Sequence, residues 1–191
     1  TVIAPFIKES NGLAAPQIGG GHCTRLTILG GHLLDGAADG IAIGNSNHVL
    51  IHAVHTKGND SEGINLDGCT YSSIFGNTSE GDLIGLACQI GPTATVGHNN
   101  AIVGNTVLNP TEYGIYVIND QAGNVVANNT VKGAVYDGMY LSGQKHVIAS
   151  GNNIESSGYS GIRASGLDSG QISQNVCYQN ALYGIQENGN N

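Results

Sequence analysis

The chain has 191 residues, of which 30 are glycine, none is tryptophan and 10% are charged, and its net charge is -8. This length suits one domain with a substantial core, and no Pro-rich or Ser-rich linker divides it, so we expect a single domain over 1–191. With 6 Lys and Arg residues in total, no basic stripe can neutralise a nucleic-acid backbone, and no apolar run is long enough for membrane insertion.

The first predicted element is a short strand within residues 1–38. Leu26-Thr27-Ile28-Leu29, followed by Gly30-Gly31, resembles one strand of a partial coil, but the rest of this segment fits the later repeat less well. We expect residues 1–38 to form a partial first coil, an N-terminal cap or a linker. Regular coils are expected over 39–191.

A short repeat then begins with glycine, an apolar residue, an outward residue and a second apolar residue. It starts at Gly40, Gly63, Gly85, Gly114, Gly138, Gly161 and Gly184, with intervals of 23, 22, 29, 24, 23 and 23 residues. Alternating apolar residues indicate a strand with one face inward. The long interval places an insertion of about six residues between Gln89 and Thr111, within the turn from Pro92 to Asn100.

Two more short strands follow in each unit, with a recurring asparagine between them. The asparagines are Asn77, Asn105, Asn129, Asn152 and Asn175. They share the period of the glycines, and stacked amides can hydrogen-bond from one coil to the next. We therefore expect a ladder of asparagine side chains along the molecule.

One coil of this size cannot bury its own apolar face, so coils must stack. The pattern predicts an all-β, single-stranded right-handed parallel β-helix, a solenoid of about seven coils with 22–24 residues each. Leucine-rich repeats have a similar length, but they need a denser leucine pattern and usually a helical return. The sequence ends at Glu187 to Asn191 with no capping helix, and we expect a further domain or a partner chain to cover that end.

These repeats resemble the pectate-lyase-like superfamily of parallel β-helix proteins, and the resemblance covers roughly residues 25–188. The superfamily includes pectate and alginate lyases, polygalacturonases, mannuronan epimerases and the trimeric tailspikes of phages. The resemblance implies an extended polysaccharide or oligosaccharide on the exposed first sheet, a secreted, cell-surface or virion location, and a homotrimer as a candidate assembly.

The residue before each glycine and the residue two after it are expected to point outward and to stack between coils. Near the N-terminal end this places Asp39 beside Glu62. We expect five further polar residues nearby: His55, Lys57, Asp60, Asn65 and Asp67. Two carboxylates about 5 Å apart could act as the acid and nucleophile of glycoside cleavage. The same oxygens could instead bind Ca²⁺, and Lys57 would then be the base of a lyase. A solvated acidic turn is the alternative, and His55 alone is expected to be a surface residue.

A second predicted cluster contains five tyrosines, Asp137 and Arg163. The tyrosines are Tyr113, Tyr116, Tyr136, Tyr140 and Tyr159. Tyrosine offers a ring to a sugar face and a hydroxyl to its edge, so we expect substrate binding by Tyr113, Tyr116, Tyr140, Asp137, Arg163 and Asn65. A subunit interface is the alternative, because tyrosine is enriched there.

The activity is less defined than the fold. The Gly-His-Gly and Arg-Ile-Lys motifs of polygalacturonases and the Asp-Pro-His of epimerases are absent from the sequence. We expect a polysaccharide-recognising β-helix, for which cleavage as a glycoside hydrolase or polysaccharide lyase is a candidate activity and Ca²⁺ the candidate cofactor. A non-catalytic adhesion module and a structural fibre or spacer are the alternatives.

Overall fold

A computed structural model describes residues 1–3, 6–8, 15–91, 96–119 and 122–189, with the backbone alone for 6–8. Its first eight strands are β1 (Val2–Ile3), β2 (Phe6–Lys8), β3 (Ile18–Gly21), β4 (Thr27–Leu29), β5 (His32–Leu34), β6 (Ile41–Gly44), β7 (Leu50–His52) and β8 (His55–Lys57). The next eight are β9 (Glu62–Asp67), β10 (Ser73–Phe75), β11 (Thr78–Glu80), β12 (Ile84–Gln89), β13 (Ala101–Val103), β14 (Thr106–Leu108), β15 (Ile115–Ile118) and β16 (Val125–Ala127). The last eight are β17 (Thr130–Lys132), β18 (Met139–Ser142), β19 (Ile148–Ser150), β20 (Asn153–Glu155), β21 (Ile162–Ser165), β22 (Gln171–Ser173), β23 (Val176–Tyr178) and β24 (Ile185–Asn188).

Every third strand joins the same sheet, so the chain winds through three parallel sheets in turn. Sheet A contains β1, β4, β7 and onward to β22, sheet B runs from β2 to β23, and sheet C runs from β3 to β24, with eight strands in each. The all-β parallel solenoid of about seven turns is thereby confirmed. Strands β3, β4 and β5 pair with the following coil, so residues 18–34 stack on the regular repeat. The described residues contain no helix long and apolar enough to cross a membrane.

The recurring glycine has a steric cause at the start of each sheet C strand. A Cβ atom added at Gly40 would lie 2.6 Å from the carbonyl oxygen of Gly63, and one at Gly63 would lie 2.7 Å from that of Gly85. Cβ atoms in proteins do not lie this close to another heavy atom. The clash arises because the next coil is hydrogen-bonded to this one and lies only one strand spacing away. The repeat therefore marks a position where the next coil leaves no room for a Cβ atom.

The predicted asparagine ladder is present and buried. The amide Nδ2 of Asn77 donates to Oδ1 of Asn105 at 3.0 Å, and the same bond continues through Asn129 and Asn152 to Asn175 at 3.0, 3.0 and 2.9 Å. Each Oδ1 also accepts the backbone N–H of the preceding asparagine. These bonds satisfy the polar backbone at the corner between sheets A and B, which a purely apolar corner would leave unpaired.

Two further ladders at the other corners were not predicted. At the corner between sheets C and A, the backbone N–H groups of Ser72 and Asn100 donate to Asn100 Oδ1 and Asn124 Oδ1. The corner between sheets B and C contains Asn59 and Asp82. The interior between the corners is filled by stacked apolar residues such as Ile41, Ile64 and Leu86, each fully buried.

The predicted insertion lies after β12. Thr70 pairs with His98, whereas the strands before them end at Asp67 and Gln89, so the extra residues fall between 90 and 97. The N–H of Gly91 donates to Asp67 Oδ1 at 2.6 Å, which ties the start of this loop to the outer face of sheet C. Residues 92–95 lie outside the described residues.

Candidate functional site

Five tyrosines form one continuous group of ring contacts on sheet C and the corner before it. Tyr113 is central, with its ring centroid 5.0 Å from that of Tyr116, 5.4 Å from Tyr136 and 5.8 Å from Tyr140. Tyr116 and Tyr140 are neighbours in β15 and β18, with centroids 5.6 Å apart. Tyr159 extends the group from Tyr136, at 5.5 Å. With Asp137 and Arg163 we call this group the tyrosine surface.

Asp137 and Arg163 hold the middle of the tyrosine surface together. Arg163 Nε lies 3.0 Å from Asp137 Oδ2, an ion pair whose N–H is not aligned for a hydrogen bond. The Arg163 guanidinium also lies over the Tyr140 ring, with Cζ 4.3 Å from the centroid. Asp137 is 1% exposed, and its Oδ1 accepts the N–H of Ser160 at 3.0 Å. Both charged side chains are therefore fixed in place.

The tyrosine rings and the ion pair line an open pocket with a volume of about 210 Å³. It is lined by Tyr113, Tyr136, Asp137, Tyr159 and Arg163. Burial raises the pKa of the Tyr113 and Tyr116 hydroxyls, so both stay protonated at neutral pH and can donate as well as accept hydrogen bonds. Tyr136 and Tyr159 are 37% and 46% exposed, so they present ring surface to solvent.

The expectation that the residue before each glycine points outward was wrong for several coils. Ser160 is 0% exposed, and Asp137 and Ile84 are also buried. These residues lie at the corner between sheets B and C, where the chain turns and the period of two no longer holds. The second column is mixed: Tyr116, Tyr140 and Arg163 are partly exposed, but Ala87 and Asn65 are buried.

Asp39 and Glu62 come together as predicted, and we call them the acidic pair. Asp39 Oδ1 accepts the backbone N–H of Glu62, and Ser61 Oγ donates to Glu62 Oε2. Burial, together with the neighbouring Asp39, raises the pKa of Glu62 to about 7. Adjacent carboxyls of this kind suit shared proton binding, whereas a retaining glycosidase needs an acid and a nucleophile about 5 Å apart.

The other residues predicted near the acidic pair are distributed more widely. Asp60 is exposed on the turn before β9, where its N–H donates to Gly36 O. Asp67 lies at the far end of β9, about 16 Å along the strand from Glu62, and it binds the Gly91 N–H. Asn65 is 8% exposed and accepts a bond from Gln89 at 3.4 Å. None of the three contacts the acidic pair among the described hydrogen bonds.

His55 and Lys57 were expected in a turn beside the acidic pair, and the structure corrects this. They form the two ends of β8 in sheet B, which faces a different direction from sheet C. Both contact Glu80 on the next coil: Lys57 Nζ lies 2.9 Å and His55 Nε2 3.6 Å from its carboxylate. The four residues between Lys57 and Glu62 cross a corner of the solenoid, so the closeness of these residues in sequence was misleading.

Asp82 is a notable buried group that the sequence reasoning did not identify. It is 0% exposed, and its carboxylate accepts four bonds, from Thr56 Oγ1, from Ser79 Oγ and from both the N–H and the Nδ2 of Asn59. Burial raises its pKa, and the four bonds partly offset this. Asp82 could have been identified from the sequence, because it occupies the same position of the repeat as Asn59 one coil earlier.

The side chains that could coordinate a metal ion are dispersed over the described residues. No group of three or more His, Cys, Asp or Glu side chains that could hold a metal occurs in the part of the chain described. Cys23, Cys69, Cys88 and Cys177 form no disulfide. The thiol of Cys69 donates to Ile43 O at 3.2 Å inside the core.

A family model described as "Periplasmic copper-binding protein (NosD)" matches residues 17–134. The crystal structure of the periplasmic alginate epimerase AlgG is similar over 89% of this chain and 47% of that one, with a TM-score of 0.70 and 16% identity. Endopolygalacturonase I from Stereum purpureum is similar over 98% of this chain and 68% of that one, with a TM-score of 0.60 and 17% identity. At such identity these structures show the fold alone, and this chain spans about half the epimerase. No curated protein matches the sequence.

Proposed function

The chain belongs to the NosD family, and on that premise we propose that it binds a polysaccharide along sheet C, outside the cytoplasm. The observation that carries the proposal is the tyrosine surface. Its rings are continuous across three coils and enclose a pocket with a fixed ion pair. A sugar ring stacks on such a surface through its C–H face, while the hydroxyls of Tyr113 and Tyr116 bond to its edge.

The similar solved structures support a polysaccharide as the ligand class. Two proteins with this fold are described as an alginate epimerase and an endopolygalacturonase, and both names refer to polymeric carbohydrate. A periplasmic, secreted, cell-surface or virion location follows from the same proposal, because such polymers are found there. A homotrimer remains a prediction, which light scattering of the purified protein would test.

The residues described do not fit the copper of the family's description. Copper(I) prefers Cys and Met ligands, and copper(II) prefers several converging His or carboxylate groups. Met139 and Cys88 are buried in the core, whereas Cys23 lies at the edge of another coil, and no three candidate ligands converge in the described residues. We therefore base no step of the proposed function on copper.

Cleavage of the polysaccharide is a second candidate function, and the acidic pair favours it. A carboxyl with a pKa of about 7 can both give and accept a proton at neutral pH, as a general acid or base must. Glu62 and Tyr113 belong to the same column of sheet C, two coils or about 10 Å apart. A glycan running along the solenoid axis would reach both, with Ca²⁺ as the candidate cofactor.

Binding can be tested on an array of bacterial and plant polysaccharides, with wild type, Tyr116→Ala and Tyr71→Ala. Tyr71 is 55% exposed on a turn before sheet A, so it is a matched control for loss of an exposed ring. We expect saturable binding that Tyr116→Ala weakens about tenfold and Tyr71→Ala leaves unchanged. Absence of saturable binding by wild type would reject the proposal and favour a structural spacer.

Cleavage can be tested on the bound polymer by assaying new reducing ends and unsaturated ends, with and without Ca²⁺. The double variant Asp39→Asn and Glu62→Gln should lose cleavage and retain binding. Binding without any cleavage by wild type would identify an adhesion module and assign the acidic pair a structural role.

A further inference from the structure

We propose that the tyrosine surface takes uncharged glycan segments and rejects polyuronates. This inference rests on the proposed polysaccharide binding and narrows its substrate class. It separates this chain from the structurally similar proteins, whose names refer to alginate and polygalacturonate. Both of those polymers carry a carboxylate on each sugar.

The positive charges of the chain lie mostly away from sheet C. The chain has 6 Lys and Arg residues, and of these Arg163 is the one within the strands of sheet C. Lys8, Lys57 and Lys132 lie in sheet B, and Arg25 and Lys145 lie in turns that lead from sheet C to sheet A. Lys57 and Lys132 are paired with Glu80 and Glu155. A uronate chain along sheet C would therefore meet one cation over eight coils.

The cation within sheet C already interacts with neighbouring side chains. Arg163 is paired with Asp137 at 3.0 Å, lies over the Tyr140 ring and acts electrostatically on Tyr113. Asp137 is almost fully buried, so solvent does not compensate its charge. A carboxylate that took Arg163 would leave Asp137 unpaired in a buried site, which is strongly unfavourable.

The charged groups around the tyrosine surface are mostly acidic. Glu112 lies close enough to act electrostatically on both Tyr113 and Tyr116. The tyrosine surface therefore meets two carboxylates and one guanidinium, and the acidic pair lies further along the same column. The resulting negative field repels an anionic polymer and leaves a neutral one unaffected.

The test compares polymers that differ in charge and share a backbone. Suitable pairs are polygalacturonate with its methyl ester, carboxymethyl cellulose with hydroxyethyl cellulose, and alginate with its propylene glycol ester. Affinity electrophoresis at low salt would measure the dissociation constant for each. We expect the uncharged member of a bound pair to bind at least about tenfold more tightly. Equal or tighter binding of the uronate would overturn the inference but leave polysaccharide binding intact, whereas wild-type binding to no polymer, including the array, would reject both.

Two variants test the cause. Asp137→Asn keeps an acceptor for the Ser160 N–H but frees Arg163, so it should raise uronate affinity about tenfold. Glu112→Gln removes one negative charge and leaves the ion pair of Asp137 and Arg163 intact, so it should raise uronate affinity by a smaller factor. This variant keeps the inference testable if Asp137→Asn fails to fold. Asp168→Asn on an exposed turn makes the same change in net charge and should have no effect. Unchanged selectivity in both folded variants would contradict the electrostatic argument.

Discussion

Asp39 and Glu62 lie 23 residues apart on consecutive coils, and Asp39 Oδ1 accepts a hydrogen bond from the backbone N–H of Glu62 at 3.2 Å. The Glu62 carboxyl also interacts with that of Asp39, which favours retention of one proton by the pair. The proton is held because burial and the neighbouring carboxylate raise the pKa of Glu62. Folding and proton binding are therefore linked at this pair.

The first prediction concerns stability against pH. The pKa of Glu62 rises from 4.5 to about 7 on folding, so the folded protein holds a proton that the unfolded chain releases. Its contribution to stability is complete below pH 4.5 and is lost as pH rises through about 7. Allowing for solvent screening at this half-buried group, the free energy of unfolding should fall by about 1–2 kcal/mol over that window.

Urea denaturation at several pH values would measure this change. Glu62→Gln should flatten the slope between pH 5.5 and 7.5. Glu80→Gln is the control, because Lys57 lowers the pKa of Glu80 and its own contribution is lost only at lower pH. Equal slopes in wild type and Glu62→Gln would show that the pair does not share a proton.

The second prediction concerns the glycine that begins each sheet C strand. A Cβ atom at Gly114 would overlap both Val131 Cγ1 and the carbonyl oxygen of Gly138, whereas one at Gly184 would meet Cys177 Cβ at 3.6 Å, an ordinary contact. Gly114→Ala should therefore lower the free energy of unfolding by about 2–3 kcal/mol, and Gly184→Ala by less than about 1 kcal/mol. Similar losses at both sites, measured in urea, would contradict the steric explanation of the repeat.

The third prediction concerns the asparagine ladder. Asn129 accepts bonds from the N–H and Nδ2 of Asn105, and it donates to Ile102 O and to Asn152 Oδ1. Asn129→Ala would leave these buried groups without partners and should cost about 3 kcal/mol or more. Asn153→Ala, at an exposed position of the next coil, should cost less than about 0.5 kcal/mol. If the ladder contributed little to stability, Asn129→Ala and Asn153→Ala would unfold at the same urea concentration.

The coil repeat could be read from the sequence because two residue types are enforced once per coil by different physical causes. Glycine is required where neighbouring backbones nearly touch, and asparagine is required where a buried corner needs its backbone satisfied. The corner ladder of Asn59 and Asp82 was missed because its later members are different in chemistry: Pro110, Ala134 and Ser157. A mixed column has no pattern to recognise.

Part of the candidate site was also predictable. Tyr116 and Tyr140 share the position two after the glycine, so the strand period alone places them side by side. The burial of Asp137 was not predictable, because its position before the glycine lies on a corner where alternation ends. For the same reason, His55 and Lys57 were assigned to the wrong face. Sequence columns locate neighbours along the axis, but corners determine which way a side chain points.

The last prediction concerns the shape of the cation in the tyrosine surface. The planar guanidinium of Arg163 contacts Asp137, the Tyr140 ring and Tyr113 at once. A lysine ammonium keeps the charge but cannot stack and bond in the same geometry. Arg163→Lys should therefore weaken polysaccharide binding about tenfold and, by leaving buried Asp137 poorly paired, lower the free energy of unfolding by about 1–3 kcal/mol.

Lys132→Arg is the matched control, because Lys132 forms an exposed pair with Glu155 on sheet B. It should leave both affinity and stability unchanged, since exposed ion pairs contribute little. Affinity electrophoresis and urea denaturation of the same preparations would separate the two effects. If Arg163→Lys bound as tightly as wild type while losing stability, the ion pair would be a structural support for the tyrosine rings and not part of the contact with the glycan.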